Sequence, residues 1–494
     1  MPTAPRPLRS SLCRAALAAS LAIPLLAPLL APLPAQEAPP ELGPEVLPAK
    51  DAGFVKAVNS AVDRAAAWLA KQQQPDGSYG VFHFHGDRDY VAGKTALAVL
   101  ARIAAGENQY SEPLERMYAY LRSHPPKYTY EVGLTLMAFD ARCAPVGEWQ
   151  QVERMNAAQL AKYTFPRSLQ PGDREYLQAL VDRLVRERYA ECWSYGNPGQ
   201  AFALTTADMS NTQYAALGLK AGSRLGLDFD RKLFADLLDY VLDHAETKGK
   251  SVKLIDVREG NDGKSKEYAR KVDARGFGYT YGTRDGPELC GSRACIAIAC
   301  IELAMDELMT KGKGEAQARA RKRRRDAAAA VDSHLAWLQE HFSVTINPTA
   351  DGGNGFGGPP GGFGGPGGGG PPGGGFGGPP GGPGGGGPPG GPGGAGGPGG
   401  AGGAGGPPGG AAGQGAGFYY YYMYAMERVG SLTQRKWIGR HDWYREGAEE
   451  LIRRQRADGS FESGGYDDEL VNTCFALLFL KRATLRGSVT SSER

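Results

Sequence analysis

The sequence predicts an all-α protein of six helical hairpins, with the inner helices in a ring and a disordered Gly/Pro-rich insertion in the fifth hairpin. Two observations predict this class. The pattern Gln-x-x-Asp-Gly-Ser-aromatic occurs at residues 73–79 and again at 455–461 of the 494-residue chain. Each copy stands between an amphipathic helical pattern and a mostly apolar one, and the same order recurs between the two copies.

The first and last hairpins are the clearest. Residues 58–73 and 442–455 carry apolar side chains on one helical face, and the Asp-Gly that follows each supplies the positive φ that ends a helix. The next segments, 95–106 and 472–483, are apolar around most of their circumference. Such helices are buried on most sides. Each unit therefore has an amphipathic outer helix, a turn and a buried inner helix.

Four weaker copies fill the chain between them. Two inner segments begin alike, with Asn-Thr-Gln-Tyr-Ala at 211–215 and Asn-Thr-Cys-Phe-Ala at 472–476. Small polar residues there can satisfy the free N–H groups of a first helical turn. Six hairpins can close into a ring around a cavity. The predicted outer and inner segments are 113–124 with 130–142, 175–189 with 209–222, 232–245 with 291–308, and 329–342 with 418–430.

The insertion at 352–417 consists almost wholly of Gly, Pro and Ala. Glycine falls at every third position in two successive frames, as in collagen. Many intervening positions are also glycine, so the proline-rich positions that stabilise a triple helix are missing. We interpret the segment as a flexible loop.

The motif residues resemble a known repeat. Gln73…Gly77-Ser78-Tyr79 and its second copy are similar to the QW repeat of squalene and oxidosqualene cyclases, with the tryptophan replaced. The hairpins resemble the α/α toroid that these cyclases share with protein prenyltransferase β subunits. The resemblance covers roughly 54–346 and 418–483, and it implies an α/α toroid. The ending at 441–461 is also similar to exported bacterial repeat proteins without assigned activity.

The motifs that would imply catalysis are missing. Class II terpenoid cyclases use an Asp-x-Asp-Asp acid, and the sequence has only Tyr-Asp-Asp-Glu-Leu at 466–470, where acids suit a helix start. The zinc ligands of prenyltransferases, Asp-x-Cys and a distant His, are not matched at 472–474 or 288–290. We therefore expect no cofactor and no cyclisation of squalene or related polyenes.

Aromatic residues supply the candidate binding site. Tyrosines of the fourth hairpin and of the inner helix of the fifth could line a cavity, together with two polar residues near the start of the third inner helix. Ordinary core packing is the alternative. The candidates are Tyr279, Tyr281, Tyr419, Tyr422, Asp208 and Asn211.

One stretch resembles a metal site. His83 and His85 in an extended loop would lie on one side, and Asp87 could complete a ligand set. An ordinary polar loop explains the same residues, and we expect no bound metal.

The first 35 residues have the pattern of a secretory signal peptide: three arginines, an apolar run from Ala15 to Leu33, and a small residue at Ala35. We expect export to the periplasm or medium, with no membrane-spanning segment after cleavage. The predicted organisation is signal peptide 1–35, Pro-rich tether 36–52, toroid 53–351, insertion 352–417, toroid 418–484 and disordered tail 485–494.

Charge and cysteine content exclude some partners. The formal net charge is +3, and loss of the three signal-peptide arginines brings it to zero, so no nucleic-acid partner is expected. The basic run 319–325 is interpreted as a solvated loop and helix start, with a polyanion contact as the alternative. Six cysteines remain after cleavage without a Cys-x-x-Cys, and most are interpreted as small buried residues, with one disulfide possible.

Three functions stay open at this stage. The first is a non-catalytic exported toroid that binds an unknown ligand or protein in its cavity or on its rim. The second is a toroid enzyme, terpenoid-cyclase-like or polysaccharide-lyase-like, with a non-standard site. The third is a scaffold whose insertion makes the main contacts.

Overall fold

Helices dominate the computed structural model, which describes residues 49–84, 88–160, 162–195, 207–259, 264–286, 289–350, 418–462 and 468–486. These residues form fourteen helices and eight strands within one compact unit, Glu45–Arg494. The helices are α1 Ala49–Gln72, α2 Gly93–Ala104, α3 Glu112–Ser123, α4 Thr129–Cys143, α5 Glu148–Arg154, α6 Ala157–Leu160, α7 Asp173–Arg186, α8 Met209–Arg224, α9 Lys232–Asp243, α10 Gly291–Thr310, α11 Gly314–Glu340, α12 Tyr419–Thr433, α13 Trp443–Arg454 and α14 Glu469–Leu480.

All twelve helices predicted from periodicity are present. The six predicted inner helices are α2, α4, α8, α10, α12 and α14. Each packs against the next in this order, and α14 packs against α2, so their contacts form a cycle. The amphipathic helices pack outside them; for example, α9 and α11 both contact α10, and α1 contacts α2 and α14. Burial on all sides explains why the inner helices have no polar stripe.

The two motif copies form the same turn. Gly77 and Gly459 have φ values of +90° and +97°, which glycine adopts without strain. Gln73 Nε2 donates to the Pro113 carbonyl at the start of α3. Its counterpart Gln455 donates to the Ala61 carbonyl on α1, also at 2.8 Å. Each glutamine thus ties its turn to the next outer helix, and Gln455 joins the last hairpin to the first.

A threonine at the start of the inner helix holds the aromatic residue of the turn. The Tyr79 N–H donates to Thr95 Oγ1 and the Phe461 N–H to Thr473 Oγ1, both at 3.1 Å. In the third hairpin the Trp193 N–H donates to Thr212 Oγ1 at 3.0 Å. We expected the small polar residues to serve the helix's own N–H groups. These threonines accept instead from the incoming turn, and acidic side chains cap α8 and α14.

The expectation of an all-α fold was incomplete. Four two-stranded antiparallel sheets join the helices, and the longest pairs Lys250 with Ala274 through Glu259 with Ser265 and packs on α11. Two ten-residue segments flanking a Gly-Asn-Asp-Gly sequence are the signal that was missed. The strands are β1 Phe82–Phe84, β2 Arg88–Tyr90, β3 Trp193–Ser194, β4 Ala207–Asp208, β5 Lys250–Glu259, β6 Ser265–Ala274, β7 Trp437–Ile438 and β8 His441–Asp442.

The basic run 319–325 is helical rather than a loop. It forms part of the first half of α11, which packs against α9. Arg319 pairs with Asp236 at 2.8 Å and also with Asp239, and Arg323 pairs with Asp239 at 3.2 Å. Arg319 and Arg323 are thus paired with acids of α9, and the run lies within a long helix where a solvated loop and helix start was expected.

The segment boundaries differ slightly from the predicted ones. Helix α1 begins at Ala49, inside the predicted tether, and Arg445 pairs with Asp51. At the other end Arg486 donates to the carbonyls of Glu153 and Met155, although 485–494 was predicted as a tail. The predicted segments 1–35 and 352–417 lie outside the described residues, as do residues 36–48 of the predicted tether and 487–494 of the predicted tail.

The cysteines lie in the core. All six cysteines between Cys143 and Cys474 are buried and free, as expected for small apolar side chains.

Within the described ranges, no helix is both long enough and apolar enough to cross a membrane.

A buried histidine makes stability depend on pH. His334 is fully buried on α11, its Nδ1 donates to the Arg275 carbonyl, and burial lowers its pKa to about 4. Because the folded-state pKa lies below the ordinary 6.5, the contribution of neutral His334 to the free energy of unfolding is fully present above pH 6.5. It is lost as the pH falls towards 4.

Between pH 7 and pH 4 we therefore expect wild type to lose up to about 3 kcal/mol more unfolding free energy than His334→Asn. Urea denaturation of both proteins across this range measures the difference. If the unfolding free energies of the two proteins changed equally with pH, His334 would not be the source of the pH dependence.

Candidate ligand-binding cavity

A mostly apolar cavity of about 160 Å³ lies at the amino-terminal ends of five inner helices. Helix α10 contributes no lining residue. Because the five helices begin at a common end of the cycle, their first turns bring aromatic side chains together from distant parts of the chain. The lining residues are Phe82, Tyr90, Gly93, Lys94, Leu97, Tyr130, Glu131, Leu134, Tyr195, Ser210, Tyr214, Phe418, Tyr421, Asp468, Val471 and Phe475.

Aromatic rings in mutual contact form much of the wall. The ring centroids of Tyr130 and Tyr214 are 4.7 Å apart, and those of Tyr130 and Tyr195 are 5.8 Å apart. Tyr421 lies 6.4 Å from Tyr214 and 5.9 Å from Phe475. These separations are typical of packed aromatic pairs. The wall therefore offers ring faces and edges to a ligand.

The two carboxylates that line the cavity are engaged at helix starts. Glu131 accepts from the Ala92 and Gly93 N–H groups at 2.7 and 3.1 Å, and also from the chain before its own helix. Burial raises the pKa of Glu131, although these N–H groups oppose the rise. Asp468 caps α14 and pairs with Lys94 at 2.6 Å. The lining therefore carries no free acid among its described residues.

A third carboxylate lies just behind the wall. Asp208 is buried, caps α8, and accepts from Ser210 Oγ at 2.7 Å. The Ser210 hydroxyl is 3.0 Å from Tyr279 Oη, which is 3.0 Å from Tyr195 Oη at the cavity surface. Burial raises the pKa of Asp208 to about 6, against the lowering effect of its hydrogen bonds. A chain of hydroxyls thus connects this carboxyl with the cavity.

The structure brings together three of the six residues proposed from sequence. Tyr279, Asp208 and Asn211 belong to the network behind the wall, where Asn211 Nδ2 donates to Asp208 Oδ2 at 2.7 Å. From the sequence we expected all three to line the cavity. Ser210 is the residue of α8 that belongs to this network and also lines the cavity.

The other three tyrosines lie elsewhere. Tyr281 stacks on Tyr240 and donates to Glu191 at 2.7 Å. Tyr419 and Tyr422 donate to backbone carbonyls of residues 343–344 at 2.7 and 3.0 Å. The face of α12 that lines the cavity is Phe418 and Tyr421 instead. Because α12 is aromatic around its circumference, its sequence did not reveal which face points inwards.

Several lining residues were missed. Tyr214 and Phe475 each follow the shared Asn-Thr start by the same spacing, so the repeat itself was the available signal. Tyr130 and Tyr195 had no comparable signal. The metal candidates cannot be placed: His85 and Asp87 lie outside the described residues, as does the side chain of His83. Among the residues described, no group of three or more His, Cys, Asp or Glu could hold a metal ion.

Comparison with known proteins finds structural similarity alone. No protein-family model and no curated protein matches the sequence. The solved structures that match include MstE, a type II terpene cyclase from Scytonema, in its apo form. The identity is 10%, the TM-score 0.40, and the alignment covers 87% of this chain and 99% of MstE.

A variant of MstE bound to its substrate, geranylgeranyl dihydroxybenzoate, matches at 10% identity with a TM-score of 0.41 and covers 87% and 98% of the two chains. Similarity at this level says nothing about activity.

Proposed function

We propose that this chain is an exported, non-catalytic α/α toroid of six hairpins that binds a small, predominantly apolar ligand in the cavity at the amino-terminal ends of its inner helices. The cycle of inner-helix contacts supports the toroid. The amino-terminal pattern of arginines, apolar run and small residue supports export. The observation that carries the binding role is the aromatic cavity whose two carboxylates are already engaged by N–H groups and Lys94.

The size of the cavity limits the ligand. Its volume of about 160 Å³ is close to the roughly 150 Å³ of an engineered apolar cavity that binds benzene. A ligand with one or two rings, or a short branched chain, therefore fits. A polyene as large as squalene does not, which supports the expectation that the protein does not cyclise such substrates.

The proposal is tested with a cavity-filling variant. We expect indole to bind wild type and raise its melting temperature. We expect Val471→Phe to bind indole at least tenfold more weakly, because the larger side chain occupies the cavity that Val471 lines. Isothermal titration calorimetry measures the affinities.

The matched control is Val185→Phe on the exposed side of α7, where Val185 is 37% exposed. It should bind indole like wild type. Absence of indole binding to wild type, or equal binding by Val471→Phe, would count against the cavity as a ligand site.

A second candidate is acid catalysis in the same cavity. The Asp208 network favours it, because a carboxyl with a pKa of about 6 is connected to the cavity through hydroxyl groups. The role of Asp208 as the cap of α8 explains the same residue without catalysis. Incubation with geraniol, a short branched diene, followed by mass spectrometry, separates the two. Cyclic products that disappear in Asp208→Asn would favour the enzyme.

A further inference from the structure

A second cavity, of about 370 Å³, lies at the opposite, carboxyl-terminal ends of the inner helices. All six inner helices contribute to its lining. Its volume is within the range of small-molecule sites. Part of the lining is apolar, including Ile103, Met137, Leu217, Leu303 and Leu478. This cavity shares no lining residue with the indole site proposed above.

Arg428 is the unusual residue of this cavity. It is 0% exposed, although it lines the cavity. Its guanidinium donates to Gln213 Oε1 at 2.8 Å and to Tyr214 Oη at 3.4 Å, and lies 4.0 Å from the centroid of the Tyr424 ring. All of these partners are neutral. Its Nε has no hydrogen-bond partner. No carboxylate oxygen of the described residues lies within 4.0 Å of its guanidinium nitrogens.

The cavity's own acids do not compensate Arg428. Asp140 is held by Arg167 and Arg224, Glu148 by Arg167 at 2.8 Å, and Glu107 by Arg102 at 2.6 Å.

Glu427, the neighbouring residue, is also buried and attracts Arg428 electrostatically, but its carboxylate accepts hydrogen bonds from Ser431 and Thr484 and makes no ion pair with Arg428. A buried guanidinium without a direct ion pair is costly, because its charge is removed from water. Arg428 therefore has an unpaired Nε and no direct ion pair, which makes it the candidate partner for a negatively charged ligand in this cavity.

A second cation lies on the neighbouring helix end. Lys481 follows α14, which packs against α12, and its ammonium is 5.8 Å from the Trp149 ring centroid. Both Lys481 and Trp149 line the cavity. Burial lowers the pKa of Lys481. In contrast, Lys220 in the same lining is held by Asp306 and Glu307.

The helix ends offer a competing explanation. The carboxyl-terminal ends of helices carry partial negative charge, which stabilises cations and repels anions. If this were the whole role of Arg428 and Lys481, the cavity would bind no anion. The two explanations therefore predict opposite results.

The geometry points to a site for a small amphipathic carboxylate in the second cavity. The apolar body of the ligand would lie against the leucine-rich lining, and its carboxylate would pair with Arg428, assisted by Lys481. A guanidinium binds a carboxylate through paired N–H groups. The combination of a buried arginine that has no direct ion pair with apolar walls selects this class over neutral ligands and over hydrophilic anions.

Octanoate tests the site, with octanamide as the neutral probe of similar shape. We expect octanoate to bind wild type at least tenfold more tightly than octanamide in calorimetry at pH 7. Arg428→Gln should lose at least tenfold of the octanoate affinity, and Lys481→Met should lose several-fold. Circular dichroism checks that each variant is folded.

Two controls make the result specific. Arg428→Lys keeps a cation and should retain more octanoate affinity than Arg428→Gln. Val471→Phe fills the other cavity and should bind octanoate like wild type, so failure of the indole site and failure of this site are distinguishable. If Arg428→Gln does not fold, Lys481→Met decides alone. Equal affinities for octanoate and octanamide, or unchanged octanoate binding by the folded variants, would overturn the proposal.

Discussion

Gly133→Ala is expected to lower the free energy of unfolding by about 3 kcal/mol. Gly133 lies on α4 where it crosses α8, and a Cβ there would come within 2.3 Å of the Tyr214 carbonyl oxygen. Gly218 on α8 faces it, and a Cβ on Gly218 would lie 2.7 Å from the Gly133 Cα. Both obstacles are backbone atoms, so the two inner helices have to separate. Tyr214 also lines the aromatic cavity, and the same change should weaken indole binding.

Chemical denaturation of wild type and variant measures the effect. The matched control is Gly53→Ala on α1, where an added Cβ would meet nothing within 4 Å. This control should be neutral or stabilise by up to about 1 kcal/mol, because alanine is the better helix former. A Gly133→Ala protein as stable as wild type would show that the helices do not depend on this close crossing.

Lys220→Met is expected to cost about 3 kcal/mol or more, because it leaves buried acids without their main counter-charge. Lys220 on α8 is buried against α10, and it pairs with Asp306 at 2.6 Å and with Glu307 at 2.9 Å. Arg231 remains 3.3 Å from Glu307, which limits the loss. Lys232→Met, which breaks an exposed pair with Asp236, should cost less than about 1 kcal/mol.

The pH dependence gives this prediction a second readout. Burial alone would raise the pKa of Glu307, but Lys220 and Ser223 hold it below its ordinary 4.5. In wild type this contribution is therefore present above pH 4.5 and is lost as the pH falls through the lower folded-state value.

Without Lys220, burial dominates and protonation of the acids favours the folded state. The stability difference between wild type and Lys220→Met should then shrink as the pH falls from 7 to 4.5. A difference that stays constant over this range would contradict the assignment of the cost to buried carboxylates.

Local patterns predicted the helices because the apolar spacing that marks a helix lies within its own residues. A 3.6-residue apolar period marked α1 and α13, and apolar residues all round marked α2 and α14. The β5–β6 hairpin was missed because its signal was read as a connection between helices. The basic part of α11 was taken for a solvated loop and helix start because the acids that pair with Arg319, Asp236 and Asp239, lie on α9.

The site was predicted less well, because it depends on contacts between residues far apart in the chain. Tyr279, Asp208 and Asn211 were identified as candidates, but only the fold shows that Ser210 and Tyr195 connect them to the cavity. A helix such as α12, with aromatic residues on every side, contains no polar face that fixes its rotation. Its packing between α10 and α14 decides that Tyr421 faces the cavity and Tyr422 does not.

The sequence by itself determined the order of the twelve predicted helices and the two motif turns, because these depend on residues close together in the chain. Tertiary structure alone decided which ends of the inner helices enclose each cavity. It also decided which charges form ion pairs: Lys220 pairs with two acids from α10, whereas the hydrogen-bond partners of Arg428 on α12 are neutral. Such compensation depends on distances between residues far apart in sequence, which helical periodicity does not encode.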